Sequence, residues 1–131
     1  MADLFTQEWM SKFGEEWNNE PDLSGALEKI GFTSTIGYGF DGDAQPIGVL
    51  VVENGKATSA GAYNGEELNW DLRASADNWN KWIAKGIGMM GLGTAYTTRK
   101  LKFVVGDYGA MVKDPRMAAP FIKSFNVMGK V

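Results

Sequence analysis

Apolar residues along this chain keep a helical spacing near both ends and a strand spacing between them. Trp9, Phe13 and Trp17 recur every four residues, while Lys12, Glu15 and Glu16 fall off that stripe. Side chains four apart share one face of an α-helix, so the spacing predicts a helix over Thr6 to Asn18 with Thr6 as its N-cap. Pro21 opens a second, short helix that turns Leu23, Leu27 and Ile30 inward, and Gly31 ends it. From Phe32 the period falls to two. Phe32, Ser34, Ile36, Tyr38 and Phe40 alternate with Thr33, Thr35, Gly37 and Gly39, which predicts a strand. Ile47 to Glu53, Lys56 to Tyr63 and Leu68 to Ala74 read as three more, with Asn54-Gly55 as a hairpin turn and Asn64-Gly65 as a second turn. The front half is thus expected to be two helices followed by an antiparallel meander. In its last strand Trp70 and Leu72 share one face, and Asn69, Asp71 and Arg73 the other, with Asp71 expected to face solvent.

The helical period returns at Ser75, a good N-cap with Asp77 in the first turn. Trp79, Trp82 and Ile83 form the apolar side of this helix, and Lys81 and Lys85 suit its C-terminal end. The run Gly86-Ile87-Gly88-Met89-Met90-Gly91-Leu92-Gly93 follows. Each glycine costs a helix about 1 kcal/mol relative to alanine, so the run is expected to be a loosely ordered, partly buried segment suited to gating a ligand. Leu101 to Val105 predicts a fifth strand, with Leu101, Phe103 and Val105 on one face. Gly106-Asp107 turns into a short helix over Tyr108 to Lys113, and Asp114-Pro115 starts a terminal helix. Met117, Phe121, Phe125 and Met128 lie on one stripe of it. Pro120 removes a helical hydrogen bond and crowds the preceding turn, so the helix is expected to kink or restart there, leaving its last turns as a detachable flap. No repeat or linker interrupts the chain, and 131 residues make one domain, 1–131.

Composition changes this picture chiefly by what is missing. There is no His and no Cys, which excludes Ser-His-Asp and Cys-His triads, thiol redox chemistry, disulfides and nearly every zinc site. No acidic loop has calcium-binding spacing, and Asp41-Gly42-Asp43 reads as a polar turn. No cofactor and no metal are expected. Neither a signal peptide nor a run of about 18 apolar residues is visible, so the expected location is cytoplasmic.

Charge is divided unevenly. Residues 1–80 carry 14 Asp/Glu against 4 Lys/Arg, and residues 81–131 carry 9 Lys/Arg against 2 Asp. The portions are therefore −10 and +7, an asymmetry suited to one face meeting an anionic partner. Five of the seven methionines lie in the basic portion, and methionine adapts its shape to irregular apolar ligands. Together these features point to a carrier of lipidic or amphipathic molecules. Nucleic acid is a poor fit, because the whole chain is acidic and lacks an aromatic-basic stacking motif.

Several motifs carry a family resemblance. Ser75-Ala76-Asp77-Asn78-Trp79 leads into Trp82 and Gly86, then Thr94-Ala95-Tyr96, Lys100-Leu101-Lys102-Phe103, Gly106-Asp107 and Gly109-Ala110-Met111. With the element order, this resembles the sterol carrier protein 2 family in a small stand-alone form. Arg99 stands where a Gly commonly precedes the Lys-Leu strand, the loop before Lys100 is longer, and Gly129-Lys130-Val131 is not a Ser-Lys-Leu type tail. The resemblance implies an α+β domain with a five-stranded, mostly antiparallel sheet covered on one side by helices. It also implies an apolar tunnel between them for fatty acid, fatty acyl-CoA, sterol or phospholipid, and no catalysis.

The candidate tunnel residues are Trp79, Trp82, Ile83, Met89, Met90, Leu92, Tyr96, Phe103, Met111, Met117, Phe121 and Phe125. Lys85, Arg99, Lys100 and Lys102 are the candidates for an anionic headgroup, and the basic portion could touch an anionic membrane or the phosphates of CoA. Two other readings remain open. One is a small isomerase of an apolar, steroid-like substrate that uses Asp71 or Asp107 with Tyr38, Tyr63 or Tyr108. The other is a non-catalytic module whose Met/Phe groove accepts a partner's helix.

Overall fold

The computed structural model describes residues 3–131. Helix α1 spans Gln7–Asn18, and a π-helical turn, Pro21–Gly25, runs into α2, Ala26–Lys29. Strands β1 (Ser34–Phe40), β2 (Gly48–Glu53), β3 (Lys56–Ala62) and β4 (Trp70–Ala74) follow. Helices α3 (Ala76–Lys85) and α4 (Met89–Thr97) lead to β5 (Lys102–Val105), then α5 (Tyr108–Lys113) and α6 (Pro115–Met128). The five strands form one sheet in the order β3-β2-β1-β4-β5, and with the helices they make an α+β fold.

Local chemistry accounts for most of the boundaries. Thr6 occupies the N-cap of α1 but turns its hydroxyl back to donate to the Asp3 carbonyl. Ser75, Asp107 and Asp114 cap α3, α5 and α6 in the ordinary way, each accepting a first-turn N–H. The Asn54-Gly55 turn has φ of 49° and 84°, the left-handed pair that a tight hairpin demands. A side chain at Gly55 would also collide with the backbone of Ser24 and Glu28.

Three strand pairs are antiparallel and one, β1 with β4, is parallel. The fourth strand therefore does not extend the meander as the sequence suggested. It crosses to the free edge of β1, where Asn69 fixes it by two bonds: its side-chain oxygen accepts from the Thr35 N–H and its own N–H donates to the Thr35 carbonyl. This pairing sets Ile36 beside Trp70 and Tyr38 beside Leu72 on the face that the helices cover.

The reverse face corrects a second expectation. Asp71 does not face solvent: Asp71 and Arg73 are each 4% exposed and form a two-pronged ion pair at 2.7 and 3.0 Å. Arg73 also donates to the Asp43 carbonyl at 2.7 Å. The loop between β1 and β2 folds back over this pair. It can do so because Gly37 and Gly39 carry no side chains, and a Cβ at either would run into Pro46.

On the covered face the core is a chain of rings. Phe5 touches Trp9, Tyr38, Phe40 and Trp79, while Phe13 contacts Trp9, Trp17 and Tyr38. Phe5 holds a left-handed backbone, φ 65°, which these contacts must enforce. The indole N–H groups of Trp79 and Trp17 donate to the Gly39 and Gly55 carbonyls, each at 2.9 Å. Burial pushes the Tyr38 phenol well above its ordinary range.

Two further expectations change. The Gly/Met run is not a loose segment, since Met89–Thr97 is a regular helix that buries Leu92 and Ala95. Nor does Pro120 end α6, which continues to Met128 as one helix. Its last turns are not a flap, because Phe125 and Val127 are wholly buried and Met128 nearly so. Lys123 and Lys130 add ion pairs to Glu20, at 3.6 and 3.5 Å.

Two measurements test this core. Asp71→Ala leaves a buried guanidinium unpaired and should cost about 3–5 kcal/mol in urea unfolding. Asp71→Leu combined with Arg73→Met should recover most of that loss, and a mild effect of the single change would mean that the pair is open to water. Alkaline unfolding is the second. Above about pH 10 an unfolded chain releases a phenol proton that folded Tyr38 keeps, so stability should be full below that pH and fall above it. Tyr38→Phe should make the fall shallower.

Candidate functional site

Between the covered face of the sheet and the helices lies a narrow cavity of about 40 Å³. Ile36 and Tyr38 of β1 with Trp70 and Leu72 of β4 form its floor. Trp17, Leu23, Leu27 and Phe32 close one side, and Met111, Met117, Phe121 and Ser124 the other. Among the described residues no charged side chain lines it. Only Tyr38 and Ser124 bring hydroxyls to the wall, and Ser124 already donates its own to the Phe121 carbonyl.

The alternation of strands and helical turns explains this lining. Ile36, Tyr38, Trp70 and Leu72 are the positions of β1 and β4 that point one way, while Gly37, Asp71 and Arg73 point the other. Met117, Phe121 and Ser124 stand three or four apart on α6 and therefore share the face it turns inward. The fully enclosed rings of Trp79 and Phe125 stack at 6.1 Å, with Trp82 edge-on to both, and form a fixed block outside the cavity. Met117 and Phe121, by contrast, are only partly buried.

Of the residues singled out from the sequence, Met111, Met117 and Phe121 line the cavity. Trp79, Trp82 and Phe125 belong to the ring core, and Leu92 is buried away from the cavity. Ile83 is partly buried on α3. Met89 and Met90 sit on the outer surface of α4, 48% and 88% exposed. Trp17, Leu23, Leu27, Phe32, Ile36, Trp70, Leu72 and Ser124 were not among the tunnel candidates, and Tyr38 was named only for the isomerase reading, although the alternation that places Trp70 and Leu72 on one face was the signal for the strand residues.

Phe103 stands between the cavity and the outside. Its ring lies 6.1 Å from that of Trp70 and 6.0 Å from that of Phe121, both cavity residues. On its other side it meets Tyr96 and Tyr108, which stack on each other at 3.8 Å. Burial, and then the neighbouring Tyr96, raise the Tyr108 phenol above its ordinary range. Tyr96, Arg99, Lys102 and Phe103 border an open surface groove. Of the four headgroup candidates, Arg99 and Lys102 thus come together there, and Lys102 also pairs with Asp41 at 2.9 Å. Lys85 and Lys100 are exposed but do not border the groove.

The residues of an acid-tyrosine catalyst are not assembled. Asp71 is locked to Arg73 on the opposite face of the sheet, and Asp107 caps α5. The Tyr63 hydroxyl donates to the Glu66 carbonyl. Among the described residues, no helix is long and apolar enough to cross a membrane, and no group of three or more His, Cys, Asp or Glu could hold a metal ion.

No family model matches the chain, and no curated protein matches it by sequence. Solved structures do match its architecture. A crystal structure of sterol carrier protein 2 superposes with a TM-score of 0.77 at 18% identity, over 98% of this chain and 99% of that one. A conserved hypothetical protein from Thermus thermophilus, described as a candidate sterol carrier protein, gives 0.67 at 15% identity, over 98% and 91%. The ubiquinone synthesis protein UbiJ-SCP2 gives 0.59 at 12% identity, over 93% and 88%. Over essentially its full length, this chain has the fold of sterol carrier protein 2.

Proposed function

We propose that the protein binds and transfers a lipidic ligand, a fatty acid or a related amphipathic molecule, without chemistry of its own. The hydrocarbon chain would occupy the cavity, and an anionic headgroup would rest in the groove beside Arg99 and Lys102. The observation that carries this reading is the position of Phe103, one ring thick between a basic groove and a cavity free of charged side chains. The sterol carrier fold supports it further.

As it stands the cavity is far smaller than the roughly 300–1,000 Å³ of small-molecule pockets, so the ligand must part its walls. The walls able to move are those of α5 and α6, where Met111 and Met117 can change shape without losing contact. Trp79 and Phe125 would stay fixed.

Delivery needs a surface that meets membranes, and α4 supplies one. Residues 86–98 contain no charged side chain, yet Met89, Met90 and Tyr96 are exposed. A surface helix normally shows water a charged face. Lys81, Lys85, Arg99, Lys100 and Lys102 flank this stretch, a set suited to anionic headgroups while the methionines enter the acyl boundary.

A titration with a fluorescent sixteen-carbon fatty acid, after native mass spectrometry of the purified protein, tests the ligand. Saturable binding that strengthens with chain length is expected, and neither bound lipid nor binding would refute the reading. Phe103→Ala should speed ligand exchange about tenfold, the kinetic equivalent of one lost ring contact of about 1.4 kcal/mol. Met89→Glu or Met90→Glu should leave fatty-acid affinity in solution unchanged but weaken binding to phosphatidylserine vesicles by tenfold or more, since a buried methionine contributes about 1.5–3 kcal/mol. Equal vesicle binding by wild type and both variants would remove α4 from the membrane contact.

A further inference from the structure

Among the described residues, one polar group on the cavity wall has no hydrogen-bond partner. Tyr38 is 1% exposed and lines the cavity. Its hydroxyl makes no hydrogen bond with any described residue, whereas the indole N–H groups of Trp17 and Trp70, which share the cavity wall, donate to the Gly55 carbonyl and the Ser34 hydroxyl. Nor is that hydroxyl sealed in protein. Among the described residues, every wholly enclosed side-chain nitrogen or oxygen has a partner, so the unbonded Tyr38 oxygen is not wholly enclosed, and the space that Tyr38 borders is the cavity.

We propose that Tyr38 donates a hydrogen bond to a neutral oxygen carried within the hydrocarbon body of the ligand, so that the cavity selects keto or hydroxy lipids over plain hydrocarbon chains. This inference rests on the lipid-binding reading above and sharpens it. An unbonded phenol in an apolar cavity is a standing cost that an apolar ligand cannot relieve and an oxygen acceptor can. The oxygen must be neutral, because no cation lines the cavity to balance a carboxylate or phosphate there. Its depth follows from the sheet. Phe103 pairs with Leu72, and Leu72 with Tyr38, so Tyr38 lies two strand spacings in from the barrier ring, roughly 10 Å. A ligand whose acid group stays in the groove would thus carry its second oxygen well along the chain. A sterol would instead present its single hydroxyl or ketone.

The test compares octadecanoic acid with its 5-, 9-, 12- and 16-oxo derivatives, and 5α-cholestane with cholesterol delivered from cyclodextrin, in wild type and Tyr38→Phe. In wild type, one mid-chain oxo acid, or cholesterol over cholestane, should bind about tenfold tighter than its oxygen-free parent. Which pair shows the preference identifies the source of the oxygen. In Tyr38→Phe that preference should vanish. No preference in wild type, or one that survives in Tyr38→Phe, overturns the role of Tyr38 while leaving lipid binding intact. Failure of every probe to bind overturns the lipid-binding reading, and this inference with it. The ligand-free variant supplies an independent check. Its melting temperature should equal or exceed that of wild type, because no hydrogen bond is lost, and a clear fall would show that the hydroxyl is already partnered.

Discussion

Parallel pairing of β1 with β4 fixes the register on which both faces of the sheet depend. On the inner face it sets Ile36 and Tyr38 against Trp70 and Leu72, which together make the cavity floor. On the outer face it brings Gly37 and Gly39 alongside Asp71 and Arg73, where Pro46 can close over the ion pair. A slip of one residue would reverse every side chain of β4. It would drive a carboxylate and a guanidinium into the ring core and expose Trp70 and Leu72. The buried pair thus acts as a register lock as much as a source of stability, since a pair of this kind gains little over apolar packing but is costly to misplace.

This arrangement also divides the molecule by stiffness. At one end Phe5, Tyr38, Trp79 and Phe125 are enclosed, and the Trp79 indole is bonded to β1. At the other, Met117, Phe121 and Phe103 are only partly buried. Local opening draws on regions with the least buried apolar contact, so α5 and the first turns of α6 are where the wall can yield. The last turns of α6 cannot follow, because Phe125, Val127 and Met128 anchor them. Pro120 sits at the boundary between these behaviours. It lacks the N–H that would tie it to the preceding turn, so the two parts of the helix are coupled less tightly than its unbroken course suggests.

Much of this was legible in the sequence where spacing alone decides the outcome. The stripes on α1 and α6, the hairpin at Asn54-Gly55, the turn at Gly106-Asp107 and the caps at Ser75 and Asp114 depend on neighbours in the chain, and each lies where it was expected. What failed depended on partners far away. The alternating glycines of β1 are a sign of close approach, but only the fold shows that Pro46 and Arg73 fill the space and bury Asp71. For the Gly/Met run, the propensity cost was real but was outweighed by burying Leu92 and Ala95. The cavity was half visible. Met111, Met117 and Phe121 stand out by composition, whereas Ile36, Tyr38 and Leu72 look like any inward strand residues until β4 is placed next to β1.

The small size of the cavity fits the proposed role. Each methylene moved out of water contributes about 0.8 kcal/mol, whereas a ring-ring contact adds about 0.5–1.5 kcal/mol beyond its area. Two methylenes therefore offset the loss of one contact of Phe121, which touches Phe103 and Phe125. A short chain gains too little to separate these rings and also to offset the entropy of its own ordering, while a long chain gains enough. In the proposed role the narrow cavity would work as a length filter, since only ligands with sufficient hydrocarbon would part its walls. The same balance explains why a lone unbonded hydroxyl on that wall can matter. Once the methylenes have opened the cavity, what distinguishes two chains of equal length is a difference of one hydrogen bond, and Tyr38 is the group placed to make it.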